Sequence, residues 1–300
     1  MNDLTLKPSI KKFRIAFVDF WPGFDPKKDP IFGKSLSKHF NIEYTLENPD
    51  LVIFSMFGNS HFRYNKPKLL YSGENYFAYK YPSIMGTSDP WKYANYVISS
   101  FDYDTDRSLV MPDWVRKYGF DSLKGLKQPQ LKFEKTKFAT YIQGNCSQEF
   151  RNNFVKELSK YKTVDCPGSC LNNMEANACP KGESKLEGLQ IKLNFCKDYK
   201  FVFAFENSTQ QGYNSEKIVE PYFSGSIPLY WGDSQINKIF NTKSMINFHD
   251  FDNMEQMIER IIEIDNKPML YKKILEEPIL NNDQVLSEQN FIDFMKQILK

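Results

Sequence analysis

KFVFAFENSTQQGYNSEKIVEPYFSGSIPLYWGD, residues 200–233, changes its hydrophobic rhythm three times. Phe201–Phe205 is an unbroken apolar run of aromatics with Val202, the composition of a buried strand. A polar turn containing Gly212 follows. From Ser215 onward, Ile218, Val219, Tyr222 and Phe223 recur at spacings of three and four, which places them on one face of a helix. A second apolar run, Ile227–Trp231, then closes on Gly232. Strand, loop, helix and strand in that order form a parallel crossover unit, and in such sheets ligands collect beyond the carboxyl ends of the strands.

That edge would gather Glu206, Asn207, Tyr213, Glu216 and Lys217. Ser215 suits a helix cap, which puts Glu216 and Lys217 in the first turn, where unpaired N–H groups and the positive dipole end receive a phosphate. Lys217 adds a charge, and Glu216 is placed to accept hydrogen bonds from sugar hydroxyls. Capping and dipole compensation alone would also select Ser-Glu-Lys at a helix start, so spacing leaves both readings open.

Three hundred residues suffice for two domains of about 150, each with its own core. A net charge of +2 offers no strong field for nucleic acid, although Lys7–Arg14 would form a local basic patch. No segment reaches the roughly 18 uninterrupted apolar residues of a membrane helix, and the first residues lack an apolar signal core, so the expected location is cytoplasmic. The five cysteines, Cys146, Cys166, Cys170, Cys179 and Cys196, have no CxxC spacing and no nearby histidine. Free thiols are the first expectation, and a disulfide from Cys166 or Cys170 to Cys179 is the competing one.

Working outward from residues 200–233, Lys12–Phe20, Asp50–Met56, Lys68–Ser72 and Lys137–Ile142 read as further strands, with Asn41–Thr45 beside them. Helical stretches are expected at Phe32–His39, Glu149–Leu158, Met254–Ile264 and Asp283–Leu299. Val164–Leu193 is polar and without periodicity, so loops are expected there, and Tyr118–Glu134 reads as a linker. Lys68–Ser72 delivers Gly73-Glu74-Asn75 into a loop at the ligand edge. Arg151 stands near the start of its helix, where it is either a surface charge or a fork for phosphate oxygens. Asp102-Tyr-Asp-Thr-Asp offers alternate carboxylates to a metal, but self-capping aspartates in a turn account for it better.

Phe205-Glu206-Asn207-Ser208, Tyr213, Ser215-Glu216-Lys217, Ile227-Pro228 and Trp231-Gly232 together closely resemble the signature of the α1,3-fucosyltransferases. The family's usual Thr before Glu-Lys is Ser215 here, which keeps the hydroxyl, and Pro221 departs from the pattern inside the expected helix. Gly73-Glu74-Asn75 resembles the family's Gly-Glu-Asn, whose glutamate is taken as the catalytic base. Arg151-Asn-Asn-Phe is similar to the family's Arg-Asn-x-Phe, whose arginine contacts the donor pyrophosphate.

The resemblance implies an α/β, GT-B-like fold of two Rossmann-like domains facing a central cleft. An acceptor-side domain would span 1–125, a GDP-fucose-binding domain 126–282, and a helical segment 283–300 would pack back on the first. It further implies inverting transfer of L-fucose from GDP-β-L-fucose to an N-acetylglucosamine-containing glycan such as N-acetyllactosamine, giving an α1,3-linked, Lewis-type product. Glu74 would be the base. Arg151 and Lys217 would stabilise the leaving diphosphate, and Asn207, Tyr213 and Glu216 would complete the donor site. No cofactor or essential metal, no nucleic acid and no integral membrane segment are implied. Another nucleotide sugar on the same scaffold, or a non-catalytic sugar- or nucleotide-binding protein, are the rival readings.

Overall fold

The structure, a computed structural model, describes residues 11–75, 89–127, 133–281 and 286–300. Residues 7–10 of the basic cluster, 128–132 of the linker stretch and 283–285 of the terminal segment lie outside the described residues. The chain divides into two compact units, one formed by Met1–Phe120 with Leu286–Lys300 and the other by Asp121–Val285. Each is built on a parallel sheet. Among the described residues, no helix is long and apolar enough to cross a membrane.

The first sheet contains β1 (Lys12–Val18), β2 (Asn41–Tyr44), β3 (Leu51–Phe54), β4 (Lys68–Ser72), β5 (Tyr96–Ser99) and β6 (Ser108–Val110), in the order β2-β1-β3-β4-β5-β6. All four residues of β3 are buried, because a central parallel strand is covered on both faces and shows no polar alternation. The helix Glu288–Ile298, capped by Ser287, sets Phe291 against Phe32 and Phe120 and Phe294 against Tyr96, so the end of the chain completes this core.

The second sheet contains β7 (Lys137–Thr140), β8 (Val164–Asp165), β9 (Tyr199–Phe205), β10 (Ile227–Trp231) and β11 (Ile246–Asn247), in the order β11-β10-β9-β7-β8. The strand expected at Phe201–Phe205 is the centre of this sheet. It pairs in parallel with β7 and, from Phe201 opposite Ile227 to Phe205 opposite Trp231, with β10. The helix Glu149–Leu158 lays Phe154 across it, with ring centroids 5.9 Å from Phe203 and 5.1 Å from Phe205.

Several expectations are corrected. Phe32–His39 is wound, but as a wide π-helical segment, Pro30–Leu36, running into a single α-turn. Val164–Leu193 is not all loop: it contributes β8 and the start of a twelve-residue helix, Lys185–Cys196. Its apolar residues are scattered around the axis, so periodicity does not reveal it. The signal is at its start, where Ser184 accepts from the Glu187 amide and the Glu187 carboxylate accepts from the Glu183 amide.

The cysteines also differ from both readings. Cys146 and Cys170 form a disulfide, while Cys166, Cys179 and Cys196 are free. The turn after β7 and the loop after β8 lie against each other, with the Cys170 amide bonded to Gln143 O at 3.2 Å. A Cβ on Gly168 would stand 2.5 Å from that same carbonyl oxygen, so the approach requires glycine.

Phe154 is fully buried between helix and central strand. Phe154→Ala is expected to destabilise the second unit by about 3–5 kcal/mol through lost burial and a residual cavity. Urea denaturation followed by tryptophan fluorescence measures it, and an unchanged midpoint would show that this helix is not part of the cooperative core.

Candidate active site

At the carboxyl end of β9 the chain buries a carboxylate. Glu206 is fully inaccessible, and its amide donates to Trp231 O at 2.8 Å, extending the β9–β10 ladder by one bond. Its carboxylate accepts from the Ser215 amide at 2.7 Å, from Ser215 Oγ at 2.7 and 2.9 Å, and from Lys217 Nζ at 3.3 Å. Lys217 Nζ also donates to Ser215 Oγ at 3.0 Å and lies 3.9 Å from Glu216 Oε1. Burial pushes the Glu206 carboxyl above its ordinary range, and the Lys217 charge and the Ser215 bonds offset only part of that shift. Lys217 is thereby held in one place with its charge close to the end of the strand.

Glycine makes this possible. A Cβ on Gly232 would fall 2.6 Å from Glu206 Cγ and 2.8 Å from Tyr230 Oη, so the turn after β10 closes directly over the buried acid. Ser215 does not cap a helix. The α-helix runs only Val219–Phe223, its cap position is Ile218 without a side-chain bond, and Glu216–Ile218 form the turn leading in. The Ser215 hydroxyl donates to Glu206, while its oxygen accepts from the Lys217 amide at 3.4 Å within this turn. Pro221 therefore lies in the first turn, where its missing N–H removes little.

Arg151 is not a surface charge. It sits in the first turn of Glu149–Leu158 and is fully buried. Its Nη1 donates to Asn207 Oδ1 at 2.9 Å and to the carbonyls of Glu206 and Phe205 at 3.3 and 3.4 Å, and its Nη2 donates to Asn145 O at 2.8 Å. Gln143 Oε1 is 3.5 Å away, and Nε has no hydrogen-bond partner. Every acceptor is neutral, and among the described residues no carboxylate forms an ion pair with this guanidinium. A buried cation without a counter-ion among the described residues, at the same strand end that holds Lys217, is suited to an anion.

The residues expected at the ligand edge are therefore placed as follows. Arg151 and Asn207 are in direct contact, Lys217 and Glu216 flank the same strand end, and Tyr213 is buried in the connecting loop. Sequence reasoning passed over Glu206 as an anchor, Gln143 and Asn145 as Arg151 partners, and Asn214, whose side chain bonds Asp233 Oδ2 at 3.3 Å. An acid directly after the apolar run Phe201–Phe205 is the signal that marks Glu206. Glu74 stands in the first unit, partly buried beyond the end of β4, with its amide on Ser72 Oγ at 3.1 Å and Asn75 fully buried beside it. The Asp102–Asp106 segment is a turn in which Asp102 Oδ1 accepts from the Asp104 amide and Asp104 takes a left-handed φ of 48°.

Comparison with known proteins gives a consistent result. The family model described as glycosyltransferase family 10 (fucosyltransferase) C-term matches residues 132–276, and that described as alpha-(1,3)-fucosyltransferase FucT N-terminal domain matches residues 15–116. The alpha-(1,3)-fucosyltransferase FucT of Helicobacter pylori is 28% identical over 337 residues, covering 96% of this chain and 66% of its own length. GDP-fucose protein O-fucosyltransferase 3 of Xenopus tropicalis is 30% identical over 152 residues, covering 49% of this chain and 32% of its own. This chain thus spans two thirds or less of the length of these relatives. A crystal structure of an alpha1,3-fucosyltransferase with GDP-fucose superposes with a TM-score of 0.78 at 25% identity, covering all of this chain and 94% of that one. With its two parallel-sheet α/β units, the chain has a GT-B-like fold.

The Lys217 side chain is 12% exposed, and Glu206 is its buried partner. Glu206→Ala is expected to destabilise the second unit by about 3–5 kcal/mol by leaving that charge uncompensated. Adding Lys217→Ala should recover part of the loss, and a double-mutant cycle in urea reads the coupling. Strict additivity would mean that the two groups do not support each other.

Proposed function

Because the chain belongs to glycosyltransferase family 10, the fucosyltransferases, we propose that it is an inverting α1,3-fucosyltransferase that uses GDP-β-L-fucose and an N-acetylglucosamine-containing glycan. The observation that carries this reading is the pair of cations at the end of β9: Arg151, buried among neutral acceptors, and Lys217, fixed by Glu206 and Ser215. Both suit the charge that grows on a departing diphosphate, the kind of preorganised electrostatic stabilisation that usually supplies the largest catalytic contribution. Asn207, Tyr213 and Glu216 complete the donor site, Glu216 accepting from sugar hydroxyls.

In the proposed reaction the acceptor hydroxyl oxygen attacks the anomeric carbon as the bond to the β-phosphate oxygen breaks. The electron pair of that bond leaves with GDP, and inversion gives the α-fucoside. Glu74 takes the hydroxyl proton, since a sugar hydroxyl is a poor nucleophile at neutral pH. With two positive side chains given to the leaving group, no divalent ion is required.

Incubation with GDP-fucose and N-acetyllactosamine, with and without EDTA, tests the whole reading by mass spectrometry of the products. A Ser/Thr peptide belongs in the same panel, given the similarity to a protein O-fucosyltransferase. A fucosylated oligosaccharide formed equally in EDTA is the expected outcome. Transfer from a different nucleotide sugar, or binding of GDP-fucose without release of GDP, would replace the proposal with one of its rivals.

Two sets of variants assign the roles. Lys217→Ala and Arg151→Lys should each weaken GDP binding by about 1.5–3 kcal/mol, the scale of a charge-assisted hydrogen bond, and calorimetry showing unchanged affinity in both would remove them from the site. Glu74→Gln keeps the shape and removes the base, so kcat should fall by at least about 100-fold with GDP binding and folding near normal. Near wild-type kcat at saturating acceptor would sink that assignment, whereas a raised KM alone would make Glu74 an acceptor contact.

A further inference from the structure

In the first unit, the loop carrying Glu74 rests on an ion pair. A Cβ on Gly73 would clash with Asp113 Oδ1 and stand 2.7 Å from Arg116 Nε, so only glycine lets the backbone ahead of Glu74 lie this close. Asp113 opens the helix Asp113–Tyr118 behind Pro112. Arg116, one turn on, donates to Asp113 Oδ1 from Nε at 2.8 Å and also from Nη2. The guanidinium carbon lies 5.0 Å from the centre of the Trp21 ring, so indole and carboxylate together fix the arginine.

The surrounding charges are few and specific. Burial opposes the Arg116 charge, and the neighbouring Asp113, Tyr71 and Glu74 outweigh it, holding the guanidinium pKa above its ordinary value. Tyr71, from β4, keeps its hydroxyl buried without a partner and feels Asp29 as well as Asp113 and Arg116. Among the described residues, Arg116 is a cation grouped with Asp113, Glu74, Tyr71 and Asp29.

We propose that Arg116, clamped by Asp113, is a positioning residue for Glu74: it supports the loop that carries the base and places a positive charge near its carboxylate. The inference rests on Glu74 being the base of the proposed reaction. A base must be ionised before it can accept a proton, and a nearby cation favours the ionised form while a nearby anion disfavours it. Arg116 and Asp113 therefore act on Glu74 with opposite signs.

The test is the pH dependence of kcat/KM for fucosyl transfer, whose acid limb reports the base in the free enzyme. Arg116→Gln removes the cation and is expected to move that limb up by roughly 1 pH unit, and Asp113→Asn removes the competing anion and should move it down. Arg116→Lys keeps the charge and should hold the limb near its wild-type position. Acid limbs of Arg116→Gln and Asp113→Asn that coincide with the wild type would overturn the proposal, even with the base reading intact. If Arg116→Gln does not fold, Asp113→Asn decides alone: a limb that stays in place or moves up overturns it. Glu74→Gln is run in parallel, and transfer retained by that variant would overturn the base reading separately.

Discussion

A carboxylate placed directly after a buried strand must be compensated, and most of the second unit's functional edge follows from how Glu206 is compensated. With no water available to it, its oxygens take the Ser215 amide, the Ser215 hydroxyl and the Lys217 ammonium. Those bonds tie Ser215 and Lys217 to the strand end, and the helix begins only beyond them, at Val219. They also require glycine at position 232, where any side chain would press on the acid. One desolvated group thus determines the shape of the loop between β9 and β10.

Arg151 meets the same strand end from the other direction. The helix that carries it is held to the sheet by Phe154, and the turn that receives its guanidinium is pinned by the Cys146–Cys170 disulfide and by the close passage of Gly168. Its bonds go to backbone carbonyls and amide oxygens, so the site is rigid while its charge stays uncancelled. That combination suits a diphosphate better than a flexible surface arginine would, because little ordering remains to be done when an anion arrives.

The first unit solves a related problem with different parts. The strand β4 is buried from Leu69 to Ser72, and the loop after it turns polar at once, with Asn75 buried and Glu74 beside it. A neighbouring helix start supplies an acid and an arginine, and Trp21 covers the arginine. In both units a short polar segment beyond a parallel strand is held by an ion pair, formed within the loop itself in the second unit and brought by a neighbouring helix in the first.

Local chemistry was enough to determine the parallel-sheet class, the strands β4, β9 and β10, the helix Glu149–Leu158 and the residue types at the ligand edge, because periodicity and composition act over a few residues. The family signature lay in the same short windows. Which partner each polar group takes was decided only by tertiary structure. Arg151 and Asn207 are 56 positions apart, and Ser215 sits nine residues from the acid that redirects its hydroxyl. The disulfide pairing likewise depends on two loops meeting after β7 and β8 have paired. The helix Lys185–Cys196 escaped because its apolar residues do not align on one face, leaving only its capped start to announce it. Sequence spacing governs which way a side chain can point; burial in a common core decides what it finds there.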